Sequence, residues 1–223
     1  MTNKKTFEED AGNIILGAFS AIQNAQSFCE EAQILHDHKK YARAYVLSHF
    51  AREECGKAMM LARAAIEIDL GVKVNWKKLK KRLRCHKQKI INDNFLSRLV
   101  LHGVEASATK KNDSDLLQYE HVFSTVKARN DKKNESLYVN YKDGQFVSPS
   151  DSISERQSQR NLELASFRSA LLVPLLKPYA EKFSGVDFGK DKHPLEDFLK
   201  AALPGFLGET LNLSKKILNE KKP

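Results

Sequence analysis

The sequence predicts an all-α helical bundle, and three of its features carry that prediction. Apolar residues return every three or four positions over long stretches without proline. Short polar or glycine-containing breaks separate those stretches, and the alternating pattern of a strand is confined to the region of Leu137–Tyr141. About five main helices are expected, with a small hairpin or extended loop and a C-terminal helical extension.

The first helix runs from about Phe7 to Leu35, with Ile14, Ile15, Ala18, Ile22, Ala25, Cys29 and Ala32 as its core stripe. His36–Lys40 is a short polar break, so a second helix returns antiparallel, carrying Tyr41, Ala44, Tyr45, Ser48, Ala51, Cys55, Ala58, Met59 and Ala62 inward. Gly71 ends it. A third helix starts at an Asn75 cap and runs to about His102; Trp76, Leu79, Leu83, His86 and Ile90 share its apolar stripe. Asn112–Asp115 caps a fourth, with Leu116, Tyr119, Val122, Phe123 and Val126 inward and an end near Ala128–Asn130. Leu137–Tyr141, the turn Lys142–Gln145 and Phe146–Val147 read as a hairpin or extended loop that either covers the core with its apolar side or stacks a nucleobase through Tyr138 or Tyr141. Ser152-x-x-Glu155 is a capping box for a fifth helix carrying Leu164, Phe167, Leu171 and Leu175, kinked or shortened by Pro174 and Pro178. Beyond Gly185, two amphipathic helices are split by Pro204-Gly205.

Residues 1–183 are therefore expected to form one helical domain, and residues 184–223 an amphipathic extension packed on the same core. With 41% hydrophobic and 29% charged residues, the chain has the make-up of a globular protein rather than a disordered one. No apolar run approaches the roughly 20 residues of a membrane helix, and no leader follows Met1, so a cytoplasmic protein without membrane partners is expected. Cys29, Cys55 and Cys85 are widely spaced and read as core thiols; His36 and His38 lack companion ligands, so neither a metal nor a cofactor is expected. The net charge is +9, and Lys73–Lys89 holds nine Lys or Arg residues and no acid. That concentration favours an anionic partner, RNA first and an acidic protein surface second.

Two groups of residues stand out for chemistry. On the second helix His49, Glu53 and Lys57 are stacked four apart with Glu54 beside them, either as a structural ion-pair network or as part of a site. Gly56, among them, costs helix propensity and implies close approach of another helix, within the chain or across a dimer interface. On the third helix Arg82, Arg84 and His86 lie within the basic run. His86 either moves protons in catalysis or bonds a buried Glu and locks the two helices together.

Tyr41-Ala-Arg-Ala-Tyr45 with Glu53-Glu54-x-Gly56-Lys57-Ala58, then Arg84-Cys85-His86-Lys87, then Leu137-Tyr138-Val139-Asn140-Tyr141 together resemble, in order and spacing, the AbiV family of abortive-infection proteins in the HEPN superfamily of helical domains. The resemblance spans about Ala11 to Tyr179, and Asn140 stands where the family's usual residue is Asp. It implies an antiphage effector acting on RNA or on ribosomal components, a homodimer, and a phage-encoded activator. Many HEPN proteins are metal-independent endoribonucleases that use an Arg and a His on one helix, which makes His86, Arg82 and Glu53 the catalytic candidates. Arg82 and His86 have three residues between them, one fewer than the superfamily pattern, and Arg98 with His102 repeats that spacing. Arg129-Asn130 matches the usual opening of that motif, but no His follows before His193; Tyr138 falls near its place. Lys77, Lys80, Lys81, Arg84, Lys87, Arg129 and Tyr138 are the candidates for binding RNA or a partner. The competing reading is a non-catalytic effector that binds through the basic face and the C-terminal helices.

Overall fold

The computed structural model describes residues 10–96, 123–187 and 189. Within them the chain is all-α apart from one two-stranded hairpin. Helix α1 (Ala11–Asp37) starts at Asp10, whose carboxylate accepts the Gly12 N–H at 2.8 Å, and α2 (Tyr41–Asp69) returns along it. Next come α3 (Trp76–Arg84), a helical segment α4 over residues 86–96, and α5 (Val126–Leu137). Strands β1 (Asn140–Lys142) and β2 (Gln145–Val147), the one-turn α6 (Pro149–Ser152) and the long α7 (Glu155–Ser184) complete the described fold.

Helices α1, α2 and α7 pack mutually and form the core. Every predicted stripe residue of α1 is buried, and alanines at 18, 25, 32, 51, 58, 65 and 165 face one another there. Small residues let backbones approach closely, while Ile15, Ile22, Leu171 and Leu172 fill what remains. The small residues of α2 are thereby consumed inside the protomer and are not available as a dimer interface. A Cβ on Gly56 would lie 2.1 Å from the Lys89 carbonyl oxygen, so the close approach implied by this glycine is that of α4, within the same chain.

Several expected elements differ. The third helix is not continuous: Cys85 is extended (φ −90°, ψ 112°), its N–H bonds to the Arg82 carbonyl, and its own carbonyl receives the Lys89 N–H. Cys85 thus ends α3 and opens α4. Tertiary contacts account for the break, since α3 is anchored by Leu79 in the main core while α4 is drawn onto α2 at Gly56. Helix α5 continues past Asn130 to Leu137 because its inward face is polar, with Lys133 and Ser136 buried where apolar residues were looked for. Phe123 and Phe167, expected inside, are exposed.

The capping box opening α7 is Ser154 with Gln157, two residues after the one expected; both pairs fit the pattern, and Pro149 directs the earlier serines into α6. Helix α7 passes Pro174 and Pro178 and stops at Gly185 in the left-handed conformation. The hairpin has its turn at Asp143 and Gly144, both with positive φ, as the Asp-Gly pair requires. It does not cover the core: Val139, Tyr141 and Phe146 are exposed. The start of the fourth helix, the Arg98–His102 pair, His193 and all but the first residues of the C-terminal extension lie outside the described residues. No helix among the described residues is long and apolar enough to cross a membrane.

Candidate functional site

Helix α2 carries two polar clusters into the interior, one behind the other. The deeper one is built on Asp93 of α4, whose side chain is completely buried. Arg52 donates from Nε to its Oδ2 at 3.1 Å and lies 3.0 Å away through Nη2; Arg129 Nη1 is 2.9 Å from the same oxygen, and Arg168 Nε is 3.1 Å from Oδ1. Arg52 also donates to Asn161 Oδ1 at 2.8 Å, and Asn161 in turn donates to the Tyr45 carbonyl; Arg129 donates to Asn94. Burial alone would raise the Asp93 carboxyl, but the three guanidinium groups outweigh it and hold the group at about 2. Burial lowers Arg129 to about 10 against the pull of Asp93. One carboxylate therefore ties α2, α4, α5 and α7 together, a role that paired buried charges fill and unpaired ones do not.

The second cluster reaches the surface. The Glu53 side chain is 2% exposed and lies among His49 Nε2 at 3.3 Å, Lys89 Nζ at 2.8 Å and His86 Nδ1 at 2.7 Å. Burial pushes its carboxyl up, and the hydrogen bonds from His49 and Lys89 with the Lys89 charge overcome that and bring it to about 2. His49 is sealed in the interior, where burial depresses it to about 4, so it is neutral at pH 7. His86 differs: its side chain is 53% exposed. An ionised carboxylate only accepts hydrogen bonds, so the proton of a neutral His86 imidazole sits on Nδ1 and leaves Nε2 as the basic atom. The arrangement is a half-exposed imidazole oriented from behind by a buried carboxylate.

His86 is therefore not within the apolar stripe, as the spacing implied, because the break at Cys85 re-aims the helix that carries it. The same break removes the face that Arg82 and His86 were expected to share. Arg82 is half-buried on α3, where the Arg63 and Glu67 charges act on it and its Nε is buried without a hydrogen-bond partner. Arg129, expected on a binding surface, is committed to Asp93. In the α2 row Lys57 turns to Glu54, at 2.5 Å, rather than to Glu53. Lys77, Lys80, Lys81, Arg84 and Lys87 are exposed, as is Tyr138 at the end of α5. Lys89, counted with the basic surface run, is instead an interior partner of Glu53.

Sequence reasoning missed Asp93, Arg168, Lys89 and the part played by Arg52. Their signal is faint but physical. Lys89 and Asp93 follow His86 at helical spacing, which puts charges where the Ile90 stripe calls for apolar side chains.

The core helices and both polar clusters belong to a helical domain of the HEPN class, and a HEPN family model, described as AbiV, matches residues 14–168. The chain belongs to the AbiV family. No curated protein and no solved structure matches it.

Proposed function

We propose that this protein is an abortive-infection effector of antiphage defence that cleaves RNA, with His86 as the group that moves the proton. Membership of the AbiV family supports the defence role. The observation that carries the chemistry is the 2.7 Å contact between His86 Nδ1 and buried Glu53, which fixes the tautomer of a half-exposed imidazole beside the basic residues Arg84 and Lys87.

In this reading His86 Nε2 takes the proton of a ribose 2′-hydroxyl as that oxygen bonds to the neighbouring phosphorus. The P–O5′ bond breaks, the 5′-oxygen takes a proton from solvent water as it leaves, a 2′,3′-cyclic phosphate remains, and the His86 imidazolium returns its proton to solvent. Exposed cations beside His86 offset the charge that builds on the phosphoryl oxygens. Glu53 holds the imidazole without touching substrate, and Lys89 neutralises Glu53.

A single substitution tests this. His86→Gln keeps polarity and bulk but cannot take up a proton near neutral pH, and half-exposed His86 contributes little to the core. The variant should keep its melting temperature, still bind RNA, and cleave it about 10²- to 10⁴-fold more slowly, losing phage protection in step. Full protection and unchanged cellular RNA in the variant would remove the catalytic reading. The second reading, a non-catalytic effector that grips RNA or ribosomal components, is favoured by the inward turn of Arg129 and by the separation of Arg82 from His86. That reading leaves the exposed lysines as a binding face. A homodimer is part of the proposal, formed through a surface other than the small residues of α2; light scattering showing a 25.3 kDa particle at micromolar concentration would exclude it.

A further inference from the structure

We propose that the β1–β2 hairpin is a stacking platform for unpaired bases of RNA; this rests on the RNA reading above and adds to it the conformation of the substrate. Tyr141 and Phe146 are direct register partners on adjacent strands, so their side chains share one face, and their rings lie 5.1 Å apart, tilted at 58°. They are 69% and 79% exposed, and Val139 and Tyr138 beside them are 62% exposed. Large apolar side chains at that exposure, next to a well-filled core, are not there for folding.

The size of the patch selects its occupant. Two strands of three residues present far less than the roughly 800 Å² per partner of a stable protein interface. Two rings do match the area of one or two nucleobases. Asn140, Lys142 and Gln145 alternate with the aromatic residues and so line the opposite face of the hairpin, which leaves the aromatic face uninterrupted in a protein of net charge +9. Exposed aromatic faces on a positively charged protein suit a single strand, whose bases have free π-faces, and exclude a duplex, whose bases are already stacked.

The frame also fixes the platform relative to His86. Helix α4 carries both His86 and Asp93, and α5 carries Arg129, bonded to Asp93, and ends at the hairpin. At about 1.5 Å per residue, the helical legs from Asp93 to His86 and from Arg129 to Leu137 are roughly 10 and 12 Å long, so imidazole and hairpin both hang from one buried ion cluster.

The experiment compares three proteins on a fluorescently labelled ten-residue oligoadenylate and on a duplex of equal length. They are the wild type, the double variant Tyr141→Leu/Phe146→Leu and His86→Gln, each read by anisotropy. Leucine keeps the apolar area and removes the π-face, and circular dichroism with thermal melting confirms that each variant is folded. The wild type and His86→Gln should bind the single strand at least tenfold more tightly than the duplex, and the leucine variant should lose roughly tenfold or more of the single-strand affinity. Equal single-strand affinity in the leucine variant and the wild type, or equal affinity of the wild type for both RNAs, overturns the platform and leaves the RNA reading standing. No RNA binding by the wild type overturns both.

Discussion

His49 and His86 share one carboxylate and differ in almost everything else, and the difference is set by burial. His86 meets solvent, while His49 is 1% exposed and held at about 4. Because that value lies below the ordinary 6.5, proton uptake by His49 favours the unfolded chain. The stability is intact above pH 6.5 and is lost as the pH falls from about 6.5 towards about 4, by on the order of 3 kcal/mol. The carboxyls of Glu53 and Asp93 act in a lower window. Both are held at about 2, so their contribution is present above their unfolded values and disappears as the pH drops through about 2. Melting temperatures measured from pH 7 to pH 4 should therefore fall in the wild type and flatten in His49→Gln. A wild-type midpoint constant over that range would contradict the assignment of a neutral, buried His49.

At the level of elements, the α2–α4 contact decides where His86 sits. Gly56→Ala would ordinarily strengthen a helix by about 1 kcal/mol. Here the added methyl meets the Lys89 carbonyl at 2.1 Å, a backbone atom that cannot swing away, so the substitution should destabilise by about 1–3 kcal/mol or more. The sign, read from the denaturant midpoint, separates the two effects, and a stabilised variant would mean that α4 does not lie on Gly56.

This contact was half legible in the sequence. A glycine amid good helix formers announces that something comes close, but not what. The paired long helices, the Asp-Gly turn and the Gly71 stop were readable because each is set by neighbours in the chain. The break at Cys85 was not, since Leu79, Leu83, His86 and Ile90 keep helical spacing straight through it. Nor was the polar core: Asp93 sits between two asparagines and looks like a surface residue, and its partners lie far away in sequence at Arg52, Arg129 and Arg168. The hairpin's location could be read, its exposure could not, because alternation shows which residues share a face and not whether that face is covered.

On the scale of the whole molecule, charge is divided between an interior use and an exterior one. The exposed lysines at 77, 80, 81 and 87 contribute little to folding, so replacing all four with Gln should leave the melting temperature within a few degrees of the wild type. RNA affinity should fall, and the dependence of log affinity on log salt should become shallower, as fewer counterions are released. An unchanged salt slope in the quadruple variant would place the phosphate contacts elsewhere. The interior charges carry a different consequence. Asp93 receives its guanidinium partners from three separate stretches of chain, the nearest of them 36 positions away in sequence and the farthest 75 (129 − 93 and 168 − 93). None of these contacts can form while the chain is locally ordered only, so the carboxylate is satisfied late, when α2, α4, α5 and α7 have already docked. Until then it keeps its water, and once the contacts are made the departure of α4 would leave three guanidinium groups without their shared carboxylate. The docking of the four helices is thereby coupled, and His86 on α4 and the hairpin beyond α5 both depend on that one buried carboxylate.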